Sequence, residues 1–440
     1  MDREKNDIPN DIKLYNAVEI CDNNIAIERI IEKCIDCGIC KNACQERTGI
    51  LDLCEGKACL YCGACLQLCP VGAIKIKSDI FRFLKARKNQ TCIAYIAPAV
   101  RVSIGEAFGM PKGSFVQGKV ITALKKIGFK YVFDVTSAAD ITVIEEAAEL
   151  VRRIKNNGVL PMFTSCCPSW VKYVENFYPE FIPNLSTCKS PISMQSAIVR
   201  SYFCKKMELD EDNIFTVAVT PCTSKKYEIT RPELDGTDSV LTAQEIVEVI
   251  KQENIDFASL EDSDFDNCFA EGTGAGMLFG NTGGVMEATI RTVYKILANK
   301  NLTDEQLVFN PIRGLKGVKC LNLDINGINI NIAVVNKLSN VVPLLEKIKE
   351  QKENYHFIEV MSCVGGCIGG AGLPKIKDGL ENQVMQKRME GLQQRDANAL
   401  IRESYRNVDA VKIYNELLEH PLSQNSDYLL HTYYRDQKQN

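Results

Sequence analysis

Apolar, β-branched runs recur through residues 90–440 and alternate with longer amphipathic stretches. Thr91 to Ala97, Lys130 to Val135, Leu160 to Thr164, Ile214 to Val219, Ile328 to Val335 and Phe357 to Met361 read as strands. Ile141 to Asn156 and Ala243 to Gln252 read as helices between them. Strands separated by helices predict βαβ units and a large α/β domain of mainly parallel sheet. Val384 to Tyr434 is polar, charged and helical in pattern, and is expected to wrap the outside. Ahead of this domain, residues 1–28 form a polar leader, residues 29–78 are dense in cysteine, and residues 79–89 read as a helical linker.

Composition narrows the class. The 440 residues are 45% hydrophobic and 25% charged, which is ordinary globular composition and excludes a disordered or collagen-like chain. A net charge of −4 offers no basic field for nucleic acid or an anionic membrane surface. The longest strongly apolar stretch, Cys92 to Val100, falls far short of the roughly 20 residues that span a bilayer. Met1 to Asn10 carry no apolar signal core, so a soluble, cytoplasmic protein is expected, with neither nucleic acid nor membrane as partner.

The informative counts are 20 cysteines against 3 histidines. A long chain without a signal sequence keeps its thiols reduced, which points to metal ligation or redox chemistry rather than disulfides. His356, His420 and His431 are too few and too scattered for histidine-based zinc or haem sites. Soft thiolates select iron–sulfur clusters, zinc or copper(I), and spacing chooses among them.

Cys34, Cys37, Cys40 and Cys44 form C-x2-C-x2-C-x3-C, and the pattern repeats as Cys59, Cys62, Cys65 and Cys69, followed by Pro70. In such a double run the first three cysteines of each repeat wrap one cube and the fourth crosses to the other. One [4Fe–4S] cluster is therefore expected on Cys34, Cys37, Cys40 and Cys69, and a second on Cys59, Cys62, Cys65 and Cys44. Structural zinc sites more often show paired C-x2-C knuckles. Gln45 stands where the first repeat would carry its proline. Cys21 and Cys54 lie outside the pattern and read as thiols rather than ligands. Residues 29–78 resemble a bacterial-type two-cluster ferredoxin, which implies a low-potential electron conduit.

Three further cysteine motifs each follow a predicted strand: TSCCPSW at Thr164 to Trp170, TPCTSKKYE at Thr220 to Glu228, and EVMSCVGGCIGGAG at Glu359 to Gly372. In an open α/β sheet, ligands gather at the carboxyl ends of strands, so motifs nearly 200 residues apart can converge on one site. Cys363 and Cys367, spaced i, i+4, are expected on one helical face, and Gly365 and Gly366 to admit a bulky cofactor. The residues alone give a four-thiolate site from Cys166 or Cys167 with Cys222, Cys363 and Cys367, leaving one cysteine over.

These motifs, in this order behind a ferredoxin module, resemble the [FeFe]-hydrogenases over residues 29–435. IAPAVR (Ile96 to Arg101), CKSP (Cys188 to Pro191), FGNTGGVMEA (Phe279 to Ala288) and LLHTYY (Leu429 to Tyr434) add to the likeness. The fold it implies is an α+β ferredoxin-like two-cluster module followed by a large α/β hydrogenase domain with mainly parallel sheets and a helical C-terminal wrap. The cofactor it implies is the H-cluster, a [4Fe–4S] cube joined by one cysteine to a diiron unit with CO, cyanide and an azadithiolate bridge. By resemblance, the cube ligands are Cys167, Cys222, Cys363 and Cys367, with Cys367 bridging, and Cys166 is the terminal proton donor. Lys225 would hold a cyanide ligand, and Met361, Pro98 and Phe279 would line the diiron pocket. Protons would travel through Glu146, Ser186 and Glu149, although read locally IEEAAEL is a solvated helix face.

The activity implied is reversible hydrogen oxidation, with hydrogen and protons as substrates. Ferredoxin or a similar low-potential carrier would be the electron partner, and maturation proteins would supply the diiron unit. Proton reduction at pH 7 requires roughly −0.4 V, about 59 mV per pH unit for a one-electron step, and ferredoxin-type clusters reach that range. Ala99, Ile192 and Thr220 stand where the family commonly has serine, glutamine and methionine, so a divergent branch with a bias to hydrogen uptake is expected. A hydrogen sensor and a non-catalytic iron–sulfur assembly protein are the alternatives. Two glycine-rich decoys carry little weight. Gly113 to Lys119 fits G-x-x-x-x-G-K but is followed by Val120 instead of Ser or Thr, and Gly272 to Gly284 misses the dinucleotide spacing.

Overall fold

The computed structural model describes residues 14–49, 59–234, 236–266, 271–377 and 379–437. Cys54 and Cys268 lie outside these residues. In chain order the strands are β1 (Ile27–Arg29), β2 (Ile74–Ile76), β3 (Thr91–Ile96), β4 (Tyr131–Asp134), β5 (Met162–Phe163), β6 (Ile214–Thr220), β7 (Ser239–Thr242), β8 (Val318–Ile325), β9 (Ile328–Asn336) and β10 (Phe357–Met361).

Two four-stranded sheets organise the large domain. One runs β4-β3-β6-β7 and is parallel throughout. Its central strands are near-continuous apolar runs because helices cover both faces: all seven residues of β6 are buried. Ile121, Leu124 and Ile246 pack on one side, and Ile141, Ile198 and Phe203 on the other. The second sheet runs β5-β10-β9-β8, with β8 antiparallel at its edge. The β8–β9 hairpin turns through Asn326 and Gly327, both in the left-handed region, as a two-residue turn of matching twist requires.

The predicted strands are present within a few residues, but β7 and β8 escaped the sequence reading. β7 is only four residues long, and β8 alternates buried and exposed positions as a half-solvated edge does. The helix expected from Ile141 starts earlier and spans Val135–Lys155. Asp134 caps it by accepting a hydrogen bond from the Thr136 N–H at 2.7 Å, and Arg152, Arg153 and Lys155 occupy its last turn, where the helix dipole favours cations. It is buried along most of its length, between the helices Pro191–Ile198 and Gly284–Ala298. The helix Glu381–Asn398 packs on Gly274–Leu278, and the short helices Val408–Ile413 and Gln424–Leu430 pack on Val135–Lys155 and Pro191–Ile198, outside the sheets.

Gly113 belongs to no phosphate loop. A Cβ there would meet the Lys387 carbonyl at 2.3 Å, and one on Gly118 would meet Asp262 at 2.4 Å, so tight packing explains both glycines. At the N-terminal end β1 pairs antiparallel with β2, and the short helices Ile39–Thr48 and Ala64–Leu68 each begin after a left-handed glycine, Gly38 and Gly63. Among the described residues no helix is long and apolar enough to cross a membrane.

Candidate metal centre

The carboxyl ends of β6, from one sheet, and of β5 and β10, from the other, face a common cavity lined chiefly by apolar atoms. Chain segments far apart in sequence reach it because each leaves a strand at the same end. Cys166 and Cys167 follow β5, Cys222 follows β6, and Cys363 and Cys367 follow β10; all five line the cavity. Pro98, Ala99, Ile192, Thr220, Lys225, Phe279 and Met361 line it as well.

Cys363 and Cys367 do not share a helical face. Gly365 and Gly366 adopt left-handed backbone (φ 81° and 84°) and break the chain into a turn, and only Gly366–Gly369 forms a single 3-10 turn. Gly366 is dictated by protein rather than by cofactor approach, since a Cβ would stand 2.6 Å from the Thr282 nitrogen.

Cys167 occupies the N-cap position of the helix Pro168–Phe177, and burial raises its thiol against the opposing influence of the nearby Ser362, Trp170 and Ser169 N–H groups. Burial, followed by repulsion from neighbouring thiols, pushes Cys363 up to about 11 and Cys367 up to about 12, and lifts Cys222 well above the thiol range. Four thiols that resist ionisation together suit a cationic iron–sulfur core, which displaces their protons and cancels their repulsion. The Ser362 hydroxyl, also lining the cavity, has no hydrogen-bond partner among the described residues. The donor set therefore fits the cube that the family resemblance implies.

Cys166 has different company. Burial and then the Glu146 carboxylate lift its thiol well above its usual range, which keeps it protonated. Lys225 donates to the Cys166 carbonyl at 3.1 Å and pairs with Glu228 at 2.6 Å; that pairing outweighs desolvation and holds the ammonium charged.

The glutamates of IEEAAEL are buried, so the solvated-face reading fails: Glu146 is 2% exposed and Glu149 1%. Helices on either side leave the stretch from Val135 to Val151 almost no face to water, and only the last turn of the helix is exposed. Burial and then the Glu149 charge push Glu146 up to about 8, against hydrogen bonds from Ser186 and Thr289. Ser186 Oγ donates to Glu149 Oε2 at 2.9 Å, and Arg153 pairs with Glu149 Oε1 at 2.6 Å. Arg153 escaped the sequence reading, although its i, i+4 spacing from Glu149 was the available signal.

The C-terminal strap fixes this segment. Thr432 N–H donates to the Thr187 carbonyl at 2.8 Å, Tyr434 OH donates to the Ser186 carbonyl at 3.0 Å, and His431 meets Glu145 at 3.1 Å. Cys188 and His431 lie against Glu149.

Near the N-terminus, Cys34, Cys37, Cys40 and Cys69 line one small cavity, and Cys44, Cys59, Cys62 and Cys65 line another. The Val18 N–H points at Cys40 (3.3 Å), the Ala73 N–H at Cys69 (3.2 Å) and the Asn24 amide at Cys59 (3.5 Å). The second cavity abuts the main one. Cys62 lines both; Leu60 accepts from Ser169 (3.1 Å) and Ser224 (3.0 Å), and Tyr61 accepts from Thr223 (2.7 Å). Cys21 is half-buried, Cys92 and Cys204 are buried, and Cys320 is exposed.

Residues 90–371 match the family described as iron only hydrogenase large subunit, C-terminal domain, and residues 382–437 match iron hydrogenase small subunit. The chain belongs to the [FeFe]-hydrogenase family. Iron hydrogenase 1 of Clostridium pasteurianum is 40% identical over 433 residues, covering 92% of this chain and 75% of that one. The solved [FeFe]-hydrogenase HydA1 of Chlamydomonas reinhardtii superposes with a TM-score of 0.73 at 32% identity, over 82% of this chain and 99% of that one. The paired sheets and their helices are thus the [FeFe]-hydrogenase fold. A more distant relative, the cytosolic Fe-S cluster assembly factor narfl of Danio rerio, is 26% identical over 81% of this chain and 90% of that one. An iron–sulfur H-cluster is the cofactor this family membership implies.

Proposed function

We propose that this protein is a hydrogenase that interconverts hydrogen with protons and electrons. The observation that carries the reading is the buried line Arg153–Glu149–Ser186–Glu146 ending at Cys166 on the wall of a thiol-lined cavity. An iron–sulfur assembly protein has no use for a proton relay that ends at its metal cavity.

Cys167, Cys222, Cys363 and Cys367 would hold the cube, and Cys367 would bridge to the diiron unit. When bound, the H-cluster with its azadithiolate supplies the open iron and the basic amine at which hydrogen is split or formed. The chain's own residues manage the proton. Arg153 holds Glu149 at the outer end. A proton arriving at Glu149 would pass to Ser186 Oγ as this hydroxyl, which donates to Glu149, turns and releases its own proton to Glu146, the carboxyl it also stabilises. Neutral Glu146 faces Cys166, whose thiol stays protonated until a base in the cavity takes the proton. Lys225 places a fixed, paired cation where a cyanide ligand would sit, and Pro98, Phe279 and Met361 keep water out.

The eight N-terminal cysteines would carry two [4Fe–4S] clusters that feed electrons inward from ferredoxin or a similar low-potential donor, and maturation proteins would install the diiron unit. Ala99, Ile192 and Thr220 replace polar or sulfur-bearing neighbours of that unit, which supports a bias toward hydrogen uptake.

The test is anaerobic purification, loading with a synthetic diiron precursor, infrared spectroscopy of bound CO and cyanide, and assays of hydrogen uptake and evolution. Infrared bands with turnover are expected. Bands without turnover would favour a sensor, and no bands in protein with intact cubes would overturn the reading in favour of the assembly alternative.

A further inference from the structure

Lys172 sits in the helix Pro168–Phe177, directly after the Cys166–Cys167 motif, and is only 7% exposed. Among the described residues its ammonium has neither a hydrogen-bonded partner nor a salt bridge. It lies 4.2 Å from the ring centre of Tyr61 and 4.7 Å from that of Tyr227, rings that stack on each other at 5.0 Å. The nearby Glu175 is already committed, as both of its oxygens accept from Arg231, at 2.7 and 2.9 Å. A buried cation held only by ring faces is incompletely compensated.

The missing charge lies next door. Tyr61 occupies the loop between Cys59 and Cys62, and Lys172 and Cys59 act on each other electrostatically. A cube on four thiolates is an anion, and reduction makes it more negative. In a desolvated setting a cation favours the reduced form; burial lowers the Lys172 ammonium to about 8, so it carries that charge at neutral pH. Tyr227 belongs to the same short helix as Lys225, so the stack also ties the accessory loop to the wall of the main cavity.

We propose that Lys172 is the counter-cation of the cluster on Cys44, Cys59, Cys62 and Cys65, and that it raises the reduction potential of that cluster above the value its thiolates alone would set. Lys172 is thereby a positioning residue for electrons at the last stop before the main centre. The inference rests on reading those four cysteines as cluster ligands.

The experiment uses the full chain with its cubes reconstituted and no diiron unit, titrated reductively and followed by electron paramagnetic resonance. The signal of the second cluster is the one lost in Cys65→Ala. In Lys172→Met that signal is expected to move to more negative potential by at least a tenfold change in the reduced-to-oxidised ratio, about 59 mV for one electron. The signal from the Cys34 set should stay in place, and Lys172→Arg should restore the original value. An unmoved or raised potential in Lys172→Met at full iron content overturns the assignment. So does loss of the cluster in both Lys172 variants, which would mark a purely structural role. If Cys65→Ala removes no signal, the cluster reading itself fails, and the inference fails with it.

Discussion

Ser186 donates to Glu149 across 2.9 Å, joining the segment after the 3-10 turn Pro179–Asn184 to the helix Val135–Lys155. The contact is held from both sides: the Ser186 N–H bonds to the Phe163 carbonyl at 2.7 Å, and Tyr434 bonds to the Ser186 carbonyl at 3.0 Å. Little slack remains for the hydroxyl to be replaced by a wandering water.

Ser186→Ala should therefore lower hydrogen evolution by about 100-fold, the lower end of what a positioned proton carrier contributes. Iron content and infrared bands should match the parent protein. Turnover at the parent rate would remove Ser186 from the path.

Glu146 predicts a pH dependence. Its folded value, pushed up to about 8 by burial and by Glu149, lies above the ordinary 4.5, so the folded chain keeps a proton that the unfolded chain has released. Evolution should decline as pH rises through about 8, because the relay then loses its loaded, neutral form. Between pH 4.5 and about 8 the parent should also lose stability relative to Glu146→Gln, since only the unfolded parent gives up the proton in that window. Denaturant titrations at several pH values check the second statement, and parallel slopes for the two proteins would contradict it.

Arg153→Leu leaves Glu149 buried with hydrogen bonds but no cation. Stability should fall by about 3 kcal/mol, as when one partner of a buried pair is removed, and turnover should drop about tenfold. Arg153→Lys should recover part of both. Thermal melts together with steady-state assays decide it.

Gly366→Ala combines positive φ with a Cβ 2.6 Å from the Thr282 nitrogen and 2.9 Å from the Asn281 carbonyl carbon. Both obstacles are backbone, so relief requires the FGNTGG loop to move. A loss of about 1–3 kcal/mol is expected, together with depleted iron at the main site while the N-terminal cubes stay filled. Full iron occupancy would show the loop to be more pliant than its packing indicates.

Thr220 lines the main cavity with its hydroxyl bound locally to the backbone of Cys222, at 3.2 and 3.3 Å. Thr220→Met should shift the ratio of hydrogen oxidation to evolution. A ratio identical to the parent's would exclude Thr220 from setting the bias.

Much of the scaffold was legible because it depends on short-range pattern. β3 and β6 are near-continuous buried runs, β9 holds the apolar stretch Ile332 to Val335, β10 is a short apolar run around Glu359, and the helix Ala243–Gln252 carries its own capping box, with Thr242 and Glu245 bonded reciprocally. β8 was readable in principle from Asn326–Gly327, a two-residue hairpin signal, but its alternating polar face masked it. The shared helical face expected for Cys363 and Cys367 failed because i, i+4 spacing assumes φ values that Gly365 and Gly366 do not adopt.

From the sequence alone came the types and spacing of the thiols, the order of the motifs after their strands, and the family they resemble, since each is a local property of a few neighbouring residues. Only the tertiary structure decided the surroundings of those residues. It set Cys166 where the Glu146 charge acts on it and Cys167 at the N-cap of the helix Pro168–Phe177, a difference that adjacent identical residues cannot express in sequence. It buried Glu146 and Glu149, brought Arg153 and the C-terminal strap onto the same segment, and left Lys172 between two tyrosine rings. Burial and charge pairing are sums over neighbours distant in the chain, and those neighbours are assembled only when the two sheets bring their carboxyl ends together.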